Sequence, residues 1–285
     1  GLGDVYKRQL QGTIEAFEQD LCDLNLIKNN HEKSIMPKVG VIGGSALNTV
    51  ENLEVSHREM VNTPYGATSS PLLFGKMNGG DIVFIHRHGF GHTIAPHEIN
   101  YRANIWALKE LEVSQIIATG AVGGITDHMS PITLVIPDQI IDYTHSRNQT
   151  FYENNQEPVV HVDFTRPYDE HLRTVLNSSA VKLNLPVVSR GAYGAVQGPR
   201  LETAAEITRL ERDGCDIVGM TGMPEAVLAR ELDVAYACCA VVVNWAAGKG
   251  NQEEVLIDVI NRNMKTARES VHKLLAEALP KVMEL

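Results

Sequence analysis

Apolar residues fall into short runs separated by segments of helical spacing. Residues 38–42 form a run ending in Gly43-Gly44, and residues 81–86 form another closed by His88-Gly89. Both predict short buried strands. Residues 98–111 place Ile99, Ala103, Trp106 and Ala107 at intervals of three and four, which predicts an amphipathic helix. Residues 115–118, closed by Thr119-Gly120, and residues 216–219 and 234–243 predict further strands, whereas 168–183, 203–212 and 253–279 predict helices. Buried runs alternating with amphipathic helices predict an α/β fold with a central mixed β-sheet, largely parallel, flanked by helices. No repeat or linker interrupts residues 36–285, which read as a single domain.

Residues 1–35 differ from the rest. Ile14, Phe17, Leu21 and Leu24 carry a short helical pattern until Asn29-Asn30-His31 breaks it, and residues 1–9 carry none and resemble an artefactual leader. This N-terminal extension is set apart from the functional argument.

Composition narrows the classes. Of 285 residues, 44% are hydrophobic and 21% charged, as in an ordinary soluble protein. The apolar runs, such as 235–243, fall well short of the roughly 20 residues of a membrane span. No basic start leads into an apolar stretch, so no secretory signal is expected. A formal net charge of −10 argues against nucleic acid as a partner. A small anionic substrate would need its own local site. Cys22, Cys215, Cys238 and Cys239 form no CxxC pair. Adjacent cysteines in an apolar run read as buried reduced thiols, and a cytoplasmic location is expected.

In sheets of this kind ligands sit beyond the strand ends. Four stretches there suit an anion. Val39-Gly40-Val41-Ile42-Gly43-Gly44-Ser45 lets the backbone approach closely and adds a hydroxyl; its glycines miss the G-x-G-x-x-G spacing of a dinucleotide site. Arg87 offers a fork of donors and His88 a second donor beside it. Ala118-Thr119-Gly120-Ala121-Val122-Gly123-Gly124 and Met220-Thr221-Gly222 add small residues with exposed amides. A metal reading of His86, His88, His92 and His97 stays open, although no carboxylate or cysteine completes a recognisable set.

Taken in order, Gly43-Gly44-Ser45, Arg87-His88-Gly89, His92-Thr93-Ile94, the Asn100-Tyr101-Arg102-Ala103-Asn104 segment, Gly198-Pro199-Arg200 and Met220-Thr221-Gly222-Met223-Pro224-Glu225 resemble the methylthioadenosine and purine nucleoside phosphorylase family over residues 37–275. The resemblance implies a trimeric α/β phosphorylase using inorganic phosphate as co-substrate, with no metal or organic cofactor. It implies phosphate at Ser45, Arg87, His88, Gly120, Ala121 and Thr221, with the ribose against Met220. Tyr101 would flank the sugar, and His161 would reach in from a neighbouring subunit.

Where the adenine-specific branch carries Asp-Tyr-Asp, this chain carries Asn244-Trp245-Ala246, and Glu202 replaces a small serine. That pair resembles the inosine/guanosine phosphorylases. A carboxylate accepts from N1–H of a 6-oxopurine, and an asparagine amide donates to N7 or O6. Thr203 and Glu206 fit a capping box by themselves, which frees Glu202 for another task. Ile257 resembles the apolar contact of the methylthio-selective branch. Together these point to S-methyl-5′-thioinosine, cleaved to hypoxanthine and 5-methylthioribose 1-phosphate. A general inosine/guanosine phosphorylase, a histidine-cluster metallohydrolase and a non-catalytic nucleoside-binding protein are the competing expectations.

Overall fold

The computed structural model describes residues 39–45, 47, 53–77, 80–153, 160–250 and 256–284. The N-terminal extension lies outside the described residues. The strands are β1 (Val39–Gly43), β2 (Glu54–Glu59), β3 (Asn62–Thr63), β4 (Gly66–Ala67), β5 (Leu72–Met77), β6 (Gly80–His86) and β7 (Gln115–Gly124). They continue with β8 (Leu134–Val135), β9 (Gln139–Asp142), β10 (Val187–Val188), β11 (Ala192–Ala195), β12 (Ile217–Gly219) and β13 (Ala235–Trp245). Among the described residues the helices are α1 (Tyr101–Glu110), α2 (Glu170–Lys182), α3 (Ala204–Arg212), α4 (Gly222–Glu231) and α5 (Leu256–Met283).

The sheet is mixed, with a parallel middle. β13, β7, β1 and β6 lie side by side and parallel, while β5 and then β2 extend the β6 edge antiparallel. The central strands are apolar on both faces because both are covered. Side chains alternate along each strand, so neighbours part company: Ile42 packs with Ile105, Leu108 and Ala226 under α1 and α4, whereas Val41 packs with Leu172, Val271 and Leu275 under α2 and α5. Asn100, Asp169 and Thr203 cap α1, α2 and α3, their side chains accepting from backbone N–H groups of the first turn. No helix among the described residues is long and apolar enough to cross a membrane.

Two differences from the sequence expectation shape the site. The small residues after Ala118 read as a loop, yet β7 continues to Gly124 because β13 accompanies it as far as the Trp245↔Gly124 pair. On the other edge β1 pairs with β7 only up to Ile42↔Ala118, and β12 takes over antiparallel at Gly123↔Val218. Between those points one edge of β7 has no partner strand. The second difference is α4, which follows Thr221 and carries Glu225 inward.

Candidate active site

A cavity of about 450 Å³ opens at this gap, above the carboxyl ends of the parallel strands. Ser45, Arg87, His88, Gly120, Ala121, Glu202, Met220, Thr221 and Asn244 all line it. Thr93 to Pro96, Val243, Ile260 and Met264 complete much of the wall.

Its floor is built by close backbone approach. A Cβ on Gly44 would sit 2.5 Å from the Thr119 carbonyl oxygen and 2.6 Å from Arg87 Nη1, so only glycine fits there. The Gly44 N–H donates to Thr119 Oγ1 at 3.2 Å. Gly120, by contrast, has open space where its side chain would be, and the unpaired stretch of β7 presents its backbone to that space. Thr221 caps α4 without using its side chain, which leaves the hydroxyl at the cavity wall.

Arg87 departs from the expected free fork. Its Nε and Nη2 donate to the two carboxylate oxygens of Glu225, each at 2.7 Å, and Nη1 donates to the Thr119 carbonyl at 2.7 Å. Tyr236 OH donates to Glu225 Oε1 at 2.8 Å. Arg87 and Glu225 are 2% and 1% exposed. Burial alone would lower the arginine pKa, but the charge and hydrogen bonds of Glu225 outweigh it and the net shift is upward. One N–H on each terminal nitrogen remains for a ligand, on a group whose charge is already balanced.

His88 Nδ1 lies 2.9 Å from the Ile94 carbonyl oxygen. A carbonyl only accepts, so Nδ1 carries a proton. Burial, followed by the charge of Arg87, pushes the imidazole pKa down to about 4, so the ring is neutral at ordinary pH. His92 stands beside it, ring centroids 4.4 Å apart, with Nε2 3.4 Å from Ser45 Oγ. Among the described residues no three His, Cys, Asp or Glu side chains converge where they could hold a metal ion.

At the other end stand Glu202 and Asn244. The capping box forms as the sequence predicts: Thr203 Oγ1 accepts from Glu206 N–H at 3.1 Å and Glu206 Oε2 accepts from Thr203 N–H at 2.7 Å. Arg200 binds both Glu206 oxygens, at 2.8 and 2.6 Å. Glu202 is left to face the cavity, where burial raises its pKa above the ordinary carboxylate value. A bulge in β13 between Val242 and Asn244 turns two consecutive side chains, Val243 and Asn244, onto the cavity wall. Asn244 Nδ2 donates to the Trp245 carbonyl at 2.7 Å, which leaves its second N–H and its Oδ1 for a ligand.

Five expected residues do not line the cavity. Ile257 is 53% exposed. Ile260 and Met264, further along the same stripe of α5, line the wall. Tyr101 is buried beneath the loop, its hydroxyl donating to the Pro96 carbonyl and accepting from Arg147. Ala246 packs into a small core with Ile207 and Val218, and Trp245 packs against Gly250. His161 is exposed.

Arg147, which the sequence did not single out, ties two walls together. It donates to the carbonyls of Met220 and Met223 at 2.8 and 2.7 Å and to those of Val196 and Gln197 at 3.2 and 2.8 Å. A lone arginine in a loop carries no periodic or motif signal. Glu225 closes the Met220-Thr221-Gly222-Met223-Pro224-Glu225 stretch, but nothing in the spacing announces Arg87 as its partner.

A three-layer α/β fold whose cavity carries Arg87, hydroxyls and open β7 backbone together with the Glu202 carboxylate and the Asn244 amide belongs to the nucleoside phosphorylase class. Residues 38–280 match the Phosphorylase superfamily, and the chain belongs to that family. It is 46% identical over 239 residues to a probable S-methyl-5′-thioinosine phosphorylase of Xanthomonas campestris pv. campestris, covering 84% of this chain and 96% of the relative. It is 45% identical over 250 residues to the 6-oxopurine nucleoside phosphorylase of Pyrococcus furiosus, covering 86% and 93%. The fold is similar to methylthioadenosine phosphorylase from Schistosoma mansoni in complex with adenine, with a TM-score of 0.83 at 32% identity over 87% of this chain and 93% of that one.

Proposed function

We propose that the chain cleaves a 6-oxopurine nucleoside with inorganic phosphate, and that its substrate is S-methyl-5′-thioinosine. The observation that carries this reading is the pairing of Glu202 and Asn244 in the cavity whose floor holds Ser45, Arg87, Thr221 and the open edge of β7. Phosphate on that floor attacks C1′ of the ribose as the bond to the purine breaks. Met220, neutral and polarizable, stands at the wall where a cationic sugar would form. Charge gathers on the departing purine, and the remaining Asn244 N–H is available to receive it at N7. The ionised Glu202 accepts from N1–H, a donor that adenine lacks.

The 5′ group is assigned to Ile260 and Met264 on α5, which give an apolar wall suited to methylthio rather than hydroxyl. The similarity to the Xanthomonas relative supports the same choice. A homotrimer and a cytoplasmic setting complete the proposal on family resemblance. The test is a panel of methylthioinosine, methylthioadenosine, inosine and adenosine, each with and without phosphate. Purine release is expected only with phosphate and fastest from methylthioinosine. Equal release in phosphate-free buffer overturns the phosphorylase reading, and equal rates for the two methylthio nucleosides overturn the base assignment.

A further inference from the structure

We propose that His88 accepts a hydrogen bond from the bound oxyanion rather than donating one, and so makes the site select protonated phosphate over sulfate. The inference rests on the phosphate site proposed above. It starts from geometry. Nδ1 of His88 faces a carbonyl oxygen at 2.9 Å, and that contact requires the ring proton on Nδ1. A neutral imidazole then carries a lone pair on Nε2. Among the described residues Nε2 has no hydrogen-bonding partner, and the ring borders the cavity beside Arg87 and Ser45.

Facing a fully deprotonated oxyanion, that lone pair meets another lone pair. Facing HPO₄²⁻ it meets the one P–OH hydrogen, while the other three oxygens take the remaining Arg87 N–H groups, the Thr221 hydroxyl and the β7 backbone. Sulfate has the same charge and nearly the same size but no proton at neutral pH. Selection therefore depends on one hydrogen atom. The reaction balances in protons: nucleoside plus HPO₄²⁻ gives neutral purine plus the sugar 1-phosphate dianion, with the P–OH bond lost and one purine N–H bond gained.

Calorimetric titration of the wild-type protein with phosphate and with sulfate, at mildly alkaline pH, tests this. One buried acceptor left without a donor should weaken sulfate relative to phosphate by about 5- to 150-fold. His88→Gln, whose amide can turn an N–H toward the ligand, should bring the two affinities within about threefold of each other. In histidine ¹⁵N spectra of the phosphate-free protein, Nδ1 of His88 should appear protonated and Nε2 not. If the variant does not fold, the wild-type ratio and the spectrum decide. Equal affinities in the wild type, or a proton found on Nε2, overturn the inference. Purine release without phosphate would instead overturn the phosphorylase reading.

Discussion

Removing the Glu225 carboxylate while leaving Arg87 in place is expected to destabilise the protein by about 3–5 kcal/mol, the usual cost of stripping one partner from a buried ion pair. Three hydrogen bonds end on that carboxylate, from Arg87 Nε and Nη2 at 2.7 Å and from Tyr236 OH at 2.8 Å. Arg87 and Glu225 are 2% and 1% exposed, and the Nε and Nη2 hydrogens that face Glu225 point away from the cavity, so water poorly replaces what Glu225→Leu removes. For a chain of this size each kcal/mol shifts the melting temperature by about 2–4 °C, which puts the expected drop at roughly 6–20 °C. Arg87→Met alone should lose a similar amount. The double variant removes both charges and should recover most of the loss, because apolar replacement of a buried pair is often close to neutral. The assay is urea denaturation of the four proteins at one protein concentration, read as a double-mutant cycle. Additive losses, or a single-variant cost under about 1 kcal/mol, would refute the claim that the pair is buried and mutually dependent.

Thr221→Val should raise the apparent Michaelis constant for phosphate by about 2- to 12-fold and leave that for nucleoside nearly unchanged; equal shifts in both would remove the hydroxyl from the phosphate site. Purine release should survive chelator, and loss of activity that added zinc restores would return the metallohydrolase reading. Burial raises the Glu202 pKa, so its protonated form takes over at a higher pH than for an ordinary carboxylate. A protonated Glu202 donates to adenine N1, so the preference for 6-oxo over 6-amino nucleosides should decay as pH falls through that raised pKa; a preference constant down to the ordinary carboxylate range contradicts this. Ile260→Asn should erode a methylthioinosine-over-inosine preference of about 10- to 200-fold, whereas Ile257→Asn should not; the reverse result would reinstate Ile257.

What the sequence made legible was whatever depended on residues close along the chain. The T-x-x-E box at Thr203 and Glu206 forms because both partners sit on one turn, and Glu202 beside it lines the cavity. The buried runs of β1, β6 and β13 announced themselves by composition, and Asp81 and Gln115 fall close to the strand starts. What stayed hidden depended on partners distant in the chain. Gly120 and Ala121 read as a loop because their own composition is loop-like, and only the long ladder to β13 makes them a strand. Arg87 looked available for an anion because Glu225, 138 positions away, could not be seen to hold it. Ile257 and Ile260 share a helical stripe, so periodicity named the face but not which turn reaches the wall.

Arg87 is the only arginine or lysine among the described residues that line the cavity, and Glu225 cancels its charge. His88 adds no charge at ordinary pH. A doubly charged nucleophile would thus be held by N–H and O–H dipoles rather than by net positive charge. An uncompensated guanidinium would bind phosphate strongly before reaction, and binding that is equally strong before and during the bond exchange lowers the Michaelis constant without raising the turnover rate. Fixed dipoles orient the oxyanion yet leave its negative charge to meet the cationic sugar. On this reasoning Glu225 serves catalysis by keeping Arg87 in place and electrically balanced, and the stability of the pair and the reactivity of the phosphate depend on the same two hydrogen bonds.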